Sequence, residues 1–408
     1  MDNTEYLKEY SRKFKSEISR PAQGILRYPY LSAGSKAYPI LIDWDAIWSG
    51  SFYLIEGDPE PLKNSLLNIL DHIGPDGKGF RRIEHNRYSA LPYQIRPFLA
   101  TGCAMLSKEI GVDWLSDEYA NRLDKYLKYW HIHRKGRLGL AKWLHVDEGF
   151  ADNGLANWAW EENCVEAVDL NAQLVLEHIN TAWIFNKKGD SQRDEWHRDK
   201  AAYLSQVIEN SLWNESQSSY FSMYNPPERN VNSIPIPVIH YTNLWPLWVG
   251  IAPQERADRV IREHLLNEDE LMASFGVRSM SRKERFFNNM RNGYINPMAS
   301  SPQKGPVIHS GSSNWQGPVW APCTYIGITS LAKYGYKKEA YDLAERHLQF
   351  CVKKIKEDGC YYENYHSETG EGLAAPTNGS WAILMPYVLD HIEKPFFTSV
   401  MDSIRIGE

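Results

Sequence analysis

The sequence is poor in cysteine, and its few cysteines follow no pattern. There are five, an odd number, and no two of them form a Cys-x-x-Cys motif. Disulfide frameworks normally use an even number of cysteines, and zinc sites use pairs at short spacing. The sequence therefore favours neither a disulfide-stapled fold nor a zinc site, and we expect a reducing cytoplasm as its compartment.

The chain also lacks a strong charge of either sign and a long apolar run. Its formal net charge is −6 over 408 residues, and no segment carries a basic stripe, which argues against nucleic acid as a partner. No segment offers about 18 uninterrupted apolar residues, and the N-terminus does not resemble a signal peptide. We therefore expect no membrane partner. The sequence also predicts neither a cofactor nor a metal.

Aromatic residues are plentiful instead. The chain contains 15 Trp and 24 Tyr, many of them beside Gly, Asn or Asp. Aromatic faces suit stacking against sugar rings and other flat ligands. The alternative explanation is a tryptophan-rich core.

Helical periodicity dominates the chain, and no segment alternates convincingly as a strand would. Residues 59–73, for example, place Leu62, Leu66, Leu67 and Leu70 on one helical face. About a dozen such helices pair through short turns, while long aromatic loops connect one pair to the next. Six hairpins of roughly 60 to 70 residues each close most simply as an all-α toroid with two helix layers. We expect a single catalytic domain of residues 1–408.

The stretch from Gly149 to Trp160 interrupts the helices, and its main candidate for chemistry is Asp152. Turn-forming Gly, Asn and Asp alternate here with large apolar residues, which is typical of a loop that lines a pocket. A lone Asp before Asn is more often an Asx turn or a helix cap than a catalyst. The aromatic surroundings of Asp152, and not its spacing, are what single it out.

A second candidate, Glu363, lies in the polar turn Glu363-Asn-Tyr-His366. An acid kept neutral by apolar surroundings, facing a carboxylate kept charged by polar ones, is the pair that glycoside hydrolysis requires. We expect the loops of Asp152, Trp315 and Glu363 to meet on one rim of the toroid. Rival carboxylates are read as helix-start or solvent charges, with Glu371 the strongest: Glu161, Glu162, Glu166, Asp169, Glu368 and Glu371.

Two further segments suggest ligand contacts. Asp43 and Asp45 fall in the first turn of a helix, where one of them is expected to cap the helix and Asp45 to reach a ligand hydroxyl. Pro97 is expected to bend the start of a later helix and to aim Gln94 or Arg96 at a ligand.

Four motifs, in order along residues 27–392, resemble those of the glycoside hydrolase clan that contains family 63 and the family 37 trehalases. They are Trp44-Asp45, Gly149 to Asn153, Asn314-Trp-Gln-Gly-Pro-Val-Trp320, and Glu363-Asn-Tyr-His with Thr369-Gly-Glu-Gly372. The compact length is most similar to bacterial mannosylglycerate and glucosylglycerate hydrolases. The sequence departs from the family pattern at Gln316, where Arg is common, and in the residues around Asp152.

The resemblance implies an (α/α)6 barrel and an inverting mechanism, with Asp152 as general acid and Glu363 as general base. It also places Asp45, Trp315 and Gly317 around the sugar. A glycerate carboxylate would need a cation, for which Arg27, Arg96 and Arg291 are candidates. The full set of expected substrate-binding residues is Tyr38, Trp44, Asp45, Gln94, Asn153, Trp315, Gln316, Gly317, Trp320 and Trp381.

The sequence thus indicates an inverting α-glycosidase that hydrolyses a small α-glucoside or α-mannoside, with a disaccharide or a glycosylated solute as its partner. One alternative is a sugar 2-epimerase on the same toroid. That reaction needs paired histidines beside a carbonyl, and the sequence offers no convincing pair. The other alternative is a noncatalytic carbohydrate-binding protein.

Overall fold

The structure, a computed structural model, describes residues 2–34, 38–88, 92–152, 154–159, 161–226, 232–291, 313–377 and 379–401. Helices make up most of the regular structure in these ranges, as predicted. The α-helices are α1 (Asn3–Ile18), α2 (Asp43–Ile55), α3 (Glu60–Asp71), α4 (Leu99–Ile110), α5 (Asp117–His133), α6 (Val168–Lys187), α7 (Ser191–Ser211), α8 (Trp245–Val249), α9 (Gln254–Val260), α10 (Ala321–Lys333), α11 (Lys337–Asp358) and α12 (Val388–Glu393).

The strands of the described residues are only two or three residues long. Such strands are too short for the alternation that reveals a strand in a sequence, and none was predicted. They are β1 (Ser19–Arg20), β2 (Tyr30–Leu31), β3 (Leu41–Ile42), β4 (Arg82–Ile83), β5 (Lys142–Trp143), β6 (Val165–Glu166), β7 (Trp213–Asn214), β8 (Ser219–Tyr220), β9 (Met223–Tyr224), β10 (Ile234–Pro235), β11 (Met272–Ala273), β12 (Gly276–Val277), β13 (Asn364–Tyr365) and β14 (Gly372–Ala374).

One small sheet defines the ends of the loop that carries Asp152. Its four strands run in the order β10-β9-β6-β5, all pairs antiparallel. Trp143 of β5 lies opposite Val165 of β6, so residues 144–164 form a loop whose two ends are hydrogen bonded to each other.

The chain divides into two compact units. Unit one consists of residues 1–135, 171–206 and 377–408, and unit two consists of residues 136–170 and 207–376. A single catalytic domain over residues 1–408 stays a prediction.

In unit one, helix α2 is buried at every position from Asp43 to Leu54. A helix surrounded in this way lies inside a core, and α2 packs against both α3 and α4. The four leucines predicted to share one face of α3 are buried, which confirms that face. In the described part of the chain, no helix has both the length and the apolar character that crossing a membrane requires.

The predicted bend at Pro97 is wrong, because α4 begins only at Leu99. Proline disfavours helical geometry in the residue before it, so the chain stays irregular up to that point. The start of α4 is fixed instead by Glu177 of α6. Its carboxylate accepts hydrogen bonds from the backbone N–H groups of Ala100 (2.8 Å) and Thr101 (2.7 Å).

In unit two, α10 and α11 pack together across a three-residue connection. The predicted core face of α11 is confirmed, since all seven of its members are buried: Ala340, Leu343, Ala344, Leu348, Cys351, Val352 and Ile355. Unit two also contains the loops of Asp152, Trp315 and Glu363, which are described next.

Candidate active site

The loop that carries Asp152 is fixed on its N-terminal side by aromatic packing. Phe150 stacks on Trp245 with ring centroids 4.4 Å apart and an interplanar angle of 27°. Trp143 makes a T-shaped contact with the same ring, with centroids 5.7 Å apart. These contacts hold the backbone two residues before Asp152, which is itself half-buried.

A buried hydrogen-bond network fixes the same loop on its C-terminal side. The Asn157 side-chain amide donates to both carboxylate oxygens of Asp169 at 3.0 Å, and its oxygen accepts from the Ser222 hydroxyl at 2.7 Å. The indole N–H of Trp143 donates to the same Asp169 at 3.2 Å. Asp152 therefore lies between two fixed points of the loop.

Asp152 is hydrogen bonded to a residue of the second predicted loop. The indole N–H of Trp315 donates to its Oδ1 at 3.0 Å. Trp315 is 1% exposed and stacks on Trp320 (3.7 Å between centroids, 7°) and on Tyr241 (5.4 Å, 20°). The indole is too tightly packed to change its direction easily, so it orients the carboxyl group.

The rest of the Trp315 loop is equally buried. The side-chain oxygen of Gln316 accepts a hydrogen bond from Asn288 at 2.9 Å. Gly317 has a φ of +149°, and a Cβ added there would lie 2.4 Å from the Asn288 carbonyl oxygen. Only glycine fits this position. The indole N–H of Trp320 donates to the Asn314 carbonyl at 2.9 Å. Gln316 and Trp320 thus form the interior of the loop in this structure.

Glu363 directly precedes β13, which pairs with β14, and its backbone N–H donates to the Ala374 carbonyl at 3.0 Å. Its side chain is buried, with 6% exposed. Tyr365 exchanges two backbone hydrogen bonds with Val319, at 2.9 and 3.0 Å. The Glu363 hairpin is therefore joined to the Trp315 loop, which in turn is bonded to Asp152. The three predicted loops meet within unit two.

Several rival carboxylates are solvated or paired. Glu161, Glu162 and Glu371 are exposed to solvent. Glu368 forms an ion pair with Arg278 at 3.0 Å. Glu371, the strongest rival in the sequence, lies in the exposed turn between β13 and β14.

The two buried rivals have structural partners. Glu166 accepts hydrogen bonds from the backbone N–H groups of Leu138 and Leu140, at 3.0 to 3.1 Å. Asp169 fixes the Asp152 loop as described above, and burial raises its pKa to about 6. Both carboxylates support the loops around the candidate site.

Unit one contains the second group of predicted substrate-binding residues. Trp44 and Trp381 are in contact, with ring centroids 5.6 Å apart. Asp45 is 4% exposed and accepts a hydrogen bond from the Ser380 hydroxyl at 3.2 Å. Burial raises the pKa of Asp45 to about 7, and the nearby Asp43 adds to the shift. The structure thus brings Trp44, Asp45 and Trp381 together.

The prediction that Asp43 or Asp45 caps α2 is wrong, because the N-cap residue is Ile42 and Asp43 is already the first residue of the helix. Asp43 instead accepts backbone hydrogen bonds beside the start of α2. Its Oδ1 accepts from the Trp44 N–H and its Oδ2 from the Arg96 N–H, each at 2.7 Å. The Arg96 guanidinium lies 3.6 Å from Asp43 and 3.9 Å from Asp45. Arg96 is 3% exposed, so its positive charge interacts with these buried aspartates and not with solvent.

The remaining predicted residues differ in placement. Gln94 is fully buried and bonds to backbone, accepting from the Gly79 N–H (2.7 Å) and donating to the Gly77 carbonyl (3.0 Å). This side chain therefore shapes its own loop. Tyr38 is half-buried, and its carbonyl accepts from the Gly34 N–H at 3.1 Å. Asn153 lies outside the described residues.

The helices carry paired histidines, which the sequence did not reveal. His131 and His178 are 2.6 Å apart through their Nε2 atoms, and His178 and His197 are 2.8 Å apart through their Nδ1 atoms. The Nε2 atom of His197 lies 3.3 Å from Oδ1 of Asp124, which extends the row of polar contacts. His178 and His197 are completely buried, and burial lowers the pKa of all three histidines. In the described ranges, no group of three His, Cys, Asp or Glu side chains is arranged to hold a metal.

One residue that no sequence pattern singled out lies beside Trp315 and the Asp152 loop. His240 is completely buried and lies 3.0 Å from the Trp315 carbonyl. The only sequence signal was its place at the start of the aromatic run His240-Tyr-Thr-Asn-Leu-Trp245.

A family model and several curated proteins are similar to this chain. The family model of the mannosylglycerate hydrolase MGH1-like glycoside hydrolase domain matches residues 106–381, more than half of the chain. A cytosolic neutral trehalase of Kluyveromyces lactis is 22% identical over 242 residues, which are 56% of this chain and 28% of the trehalase. A probable mannosyl-oligosaccharide glucosidase of Schizosaccharomyces pombe is 21% identical over 197 residues, which are 45% of this chain and 21% of the glucosidase. The chain thus spans about a quarter of the length of these curated relatives.

Solved structures cover nearly the whole chain. A GH63 mannosylglycerate hydrolase from Thermus thermophilus, in complex with Tris and D-glycerate, has a TM-score of 0.70 at 19% identity and covers 93% of this chain and 99% of its own. Neutral trehalase Nth1 from Saccharomyces cerevisiae has a TM-score of 0.64 at 17% identity, and the match covers 93% of this chain and 78% of the trehalase. These likenesses show the fold of the chain and confirm the predicted (α/α)6 barrel class.

Proposed function

This chain belongs to the mannosylglycerate hydrolase MGH1-like glycoside hydrolase family, and on that premise we propose that it is an inverting α-glycosidase. Asp152 is the general acid and Glu363 the general base. The substrate is a small α-glucoside or α-mannoside, either a disaccharide or a glycosylated solute such as a glycosylglycerate. Two carboxyl groups and a water suffice for this reaction, so no cofactor is needed.

In the proposed reaction, Asp152 protonates the leaving oxygen as the glycosidic bond breaks. Glu363 removes a proton from a water that attacks the anomeric carbon from the opposite face, which inverts its configuration. The transition state carries positive charge on the sugar ring. Trp315 donates to Oδ1 of Asp152 and so fixes the direction of the carboxyl group that gives up the proton.

The observation that carries the proposal is the convergence of three loops in unit two. Asp152 is bonded to Trp315, and the Trp315 loop is bonded to the Glu363 hairpin. The rival carboxylates support the assignment, because they are exposed, paired with a cation or bonded to the loops themselves.

Support for the substrate class comes from the relatives. The Thermus protein is a mannosylglycerate hydrolase and the Kluyveromyces protein a trehalase, so both act on small sugar compounds. Of the three arginines considered for a glycerate carboxylate, Arg96 is bonded into the buried aspartate cluster and Arg27 pairs with Asp71 at 3.3 Å. Both arginines thus have carboxylate partners, and Arg291 is the remaining candidate.

The compartment is a separate proposal. All five cysteines are buried free thiols. This supports a reducing cytoplasm, where disulfides rarely form.

The test is a screen of α-linked disaccharides, mannosylglycerate and glucosylglycerate for released monosaccharide. On the best substrate, Asp152→Ala and Glu363→Gln should each lower kcat by about 10²- to 10⁴-fold, the usual contribution of a general acid or base. Both variants should keep the wild-type melting temperature within a few degrees. Glu371→Gln is the matched control, because Glu371 lies in the exposed turn of the same hairpin, and it should retain activity. Full activity in either Asp152→Ala or Glu363→Gln would refute the role assigned to that residue.

A further inference from the structure

A short segment contacts both of the loops that form the hydrogen bond between Trp315 and Asp152. This brace segment comprises residues 240–245. Its Trp245 stacks on Phe150, two residues before Asp152, at 4.4 Å between centroids. Its Tyr241 stacks on Trp315 at 5.4 Å. The brace segment thus packs on the acid loop through one aromatic ring and on the Trp315 loop through another.

His240, at the start of the brace segment, fixes the backbone of Trp315. Its Nδ1 lies 3.3 Å from the Thr242 N–H and 2.8 Å from the Thr242 hydroxyl. Since a backbone N–H can only donate, Nδ1 accepts and the proton is on Nε2. Nε2 then donates to the Trp315 carbonyl at 3.0 Å. Burial lowers the pKa of His240 to about 4, which agrees with a neutral ring in this single tautomer.

The same imidazole packs against the acid loop. A Cβ added to Gly154 would lie 3.4 Å from Cε1 of His240 and 2.9 Å from the Ala151 carbonyl oxygen. The ring therefore approaches the loop two residues after Asp152, at a position where the absence of a side chain permits close packing. One buried side chain thus bonds to the backbone of the Trp315 loop and lies next to the acid loop at Gly154.

We propose that His240 is a positioning residue for the general acid. It holds the Trp315 backbone by a hydrogen bond and the Asp152 turn by packing, and so sets the direction in which the Asp152 carboxyl group presents its proton. His240 acts through these two residues and not on the substrate. The inference rests on the proposed role of Asp152 as general acid.

This role can be tested with two substrates, one that needs a general acid and one that does not. An alkoxide leaves a sugar slowly unless it is protonated, whereas fluoride leaves an α-glycosyl fluoride with little help from an acid. Water attack assisted by Glu363 is needed for both substrates. A defect in acid positioning should therefore lower kcat on an α-linked disaccharide and largely spare kcat on the fluoride.

The central variant is His240→Phe, which retains a ring and loses the Nε2 donor. We expect kcat on the disaccharide to fall about 10-fold or more, kcat on the fluoride to fall less than about 3-fold, and KM to change little on either. His240→Gln offers an N–H donor in its place and should recover part of the disaccharide rate. Turnover of the fluoride also reports that the site is folded.

Two controls separate the outcomes. His264, equally a buried histidine of unit two, bonds to Glu270 (2.6 Å) and to the Gln217 carbonyl (2.8 Å), and His264→Gln should affect both substrates equally. Asp152→Ala should lose the disaccharide and keep the fluoride. If Asp152→Ala loses both substrates equally, the acid assignment itself fails.

The positioning role is overturned if Asp152→Ala discriminates between the substrates and His240→Phe does not. If His240→Phe does not fold, Gly154→Ala displaces the acid loop at the point where it lies next to His240. Its Cβ would force the Ala151 carbonyl to move, and it should reproduce the preference for the fluoride. Equal loss on both substrates in Gly154→Ala would then overturn the inference.

Discussion

Replacing Trp315 by Phe removes the indole N–H that donates to Asp152 and keeps an aromatic ring between Trp320 and Tyr241. The Asp152 carboxyl group becomes charged as it gives up its proton, and a hydrogen bond to a charged group is worth about 1.5–3 kcal/mol. Each 1.4 kcal/mol corresponds to about a factor of ten in rate. If the whole bond serves to orient the acid, kcat should fall by about 10- to 150-fold. KM should change less, because Trp315 is 1% exposed and offers little surface to a substrate.

The smaller ring also leaves a gap in the core, which lowers stability independently of catalysis. Loss of part of a buried aromatic side chain costs about 1–3 kcal/mol, so thermal unfolding must be measured beside the kinetics. Trp130→Phe is the matched control, since Trp130 is completely buried in α5 of unit one. It should lose comparable stability and keep kcat within about twofold. A folded Trp315→Phe with the kcat of wild type would refute the orienting role of the indole.

Two predictions concern stability. Gly317→Ala places a Cβ 2.4 Å from the Asn288 carbonyl at a φ of +149°. It should lower the free energy of unfolding, measured in urea, by about 3 kcal/mol or more. Gly189→Ala, with a φ of +77° and open space around it, should lower it by only about 1–2 kcal/mol. His391 is 5% exposed, and burial lowers its pKa to about 3. Between about pH 3 and about pH 6.5 the unfolded state therefore binds more protons than the folded state. The folded state loses stability as the pH falls through this range. His391→Phe should therefore remove about 2 kcal/mol of the loss in unfolding free energy between pH 7.5 and pH 5, and an unchanged pH dependence would contradict the buried neutral state.

The helices could be predicted because their signal is local. The leucines of α3 and the seven-residue face of α11 recur at helical spacing, and each of these positions is buried in the structure. Burial of one face follows directly from that spacing, whichever helix covers it. The two-residue strands could not be predicted, because their pairing depends on loops that are distant in sequence.

The site could be predicted in part for the same reason. Asp152 and Glu363 lie in loops whose composition is itself unusual, so the sequence singled them out. His240 was missed because its partner Trp315 is 75 residues away and nothing local distinguishes a histidine that bonds to a distant carbonyl. Gln94 was assigned to a ligand although its amide completes the hydrogen bonds of its own loop, a choice that depends on backbone positions that the sequence does not reveal.

The most direct test of the acid–base pair is proton NMR of the wild-type reaction on an α-linked substrate, recorded before the released sugar mutarotates. A water activated by Glu363 opposite the bond that Asp152 protonates must give the β-anomer first, with the α-anomer appearing only later as the sugar equilibrates. Initial release of the α-anomer would contradict the account.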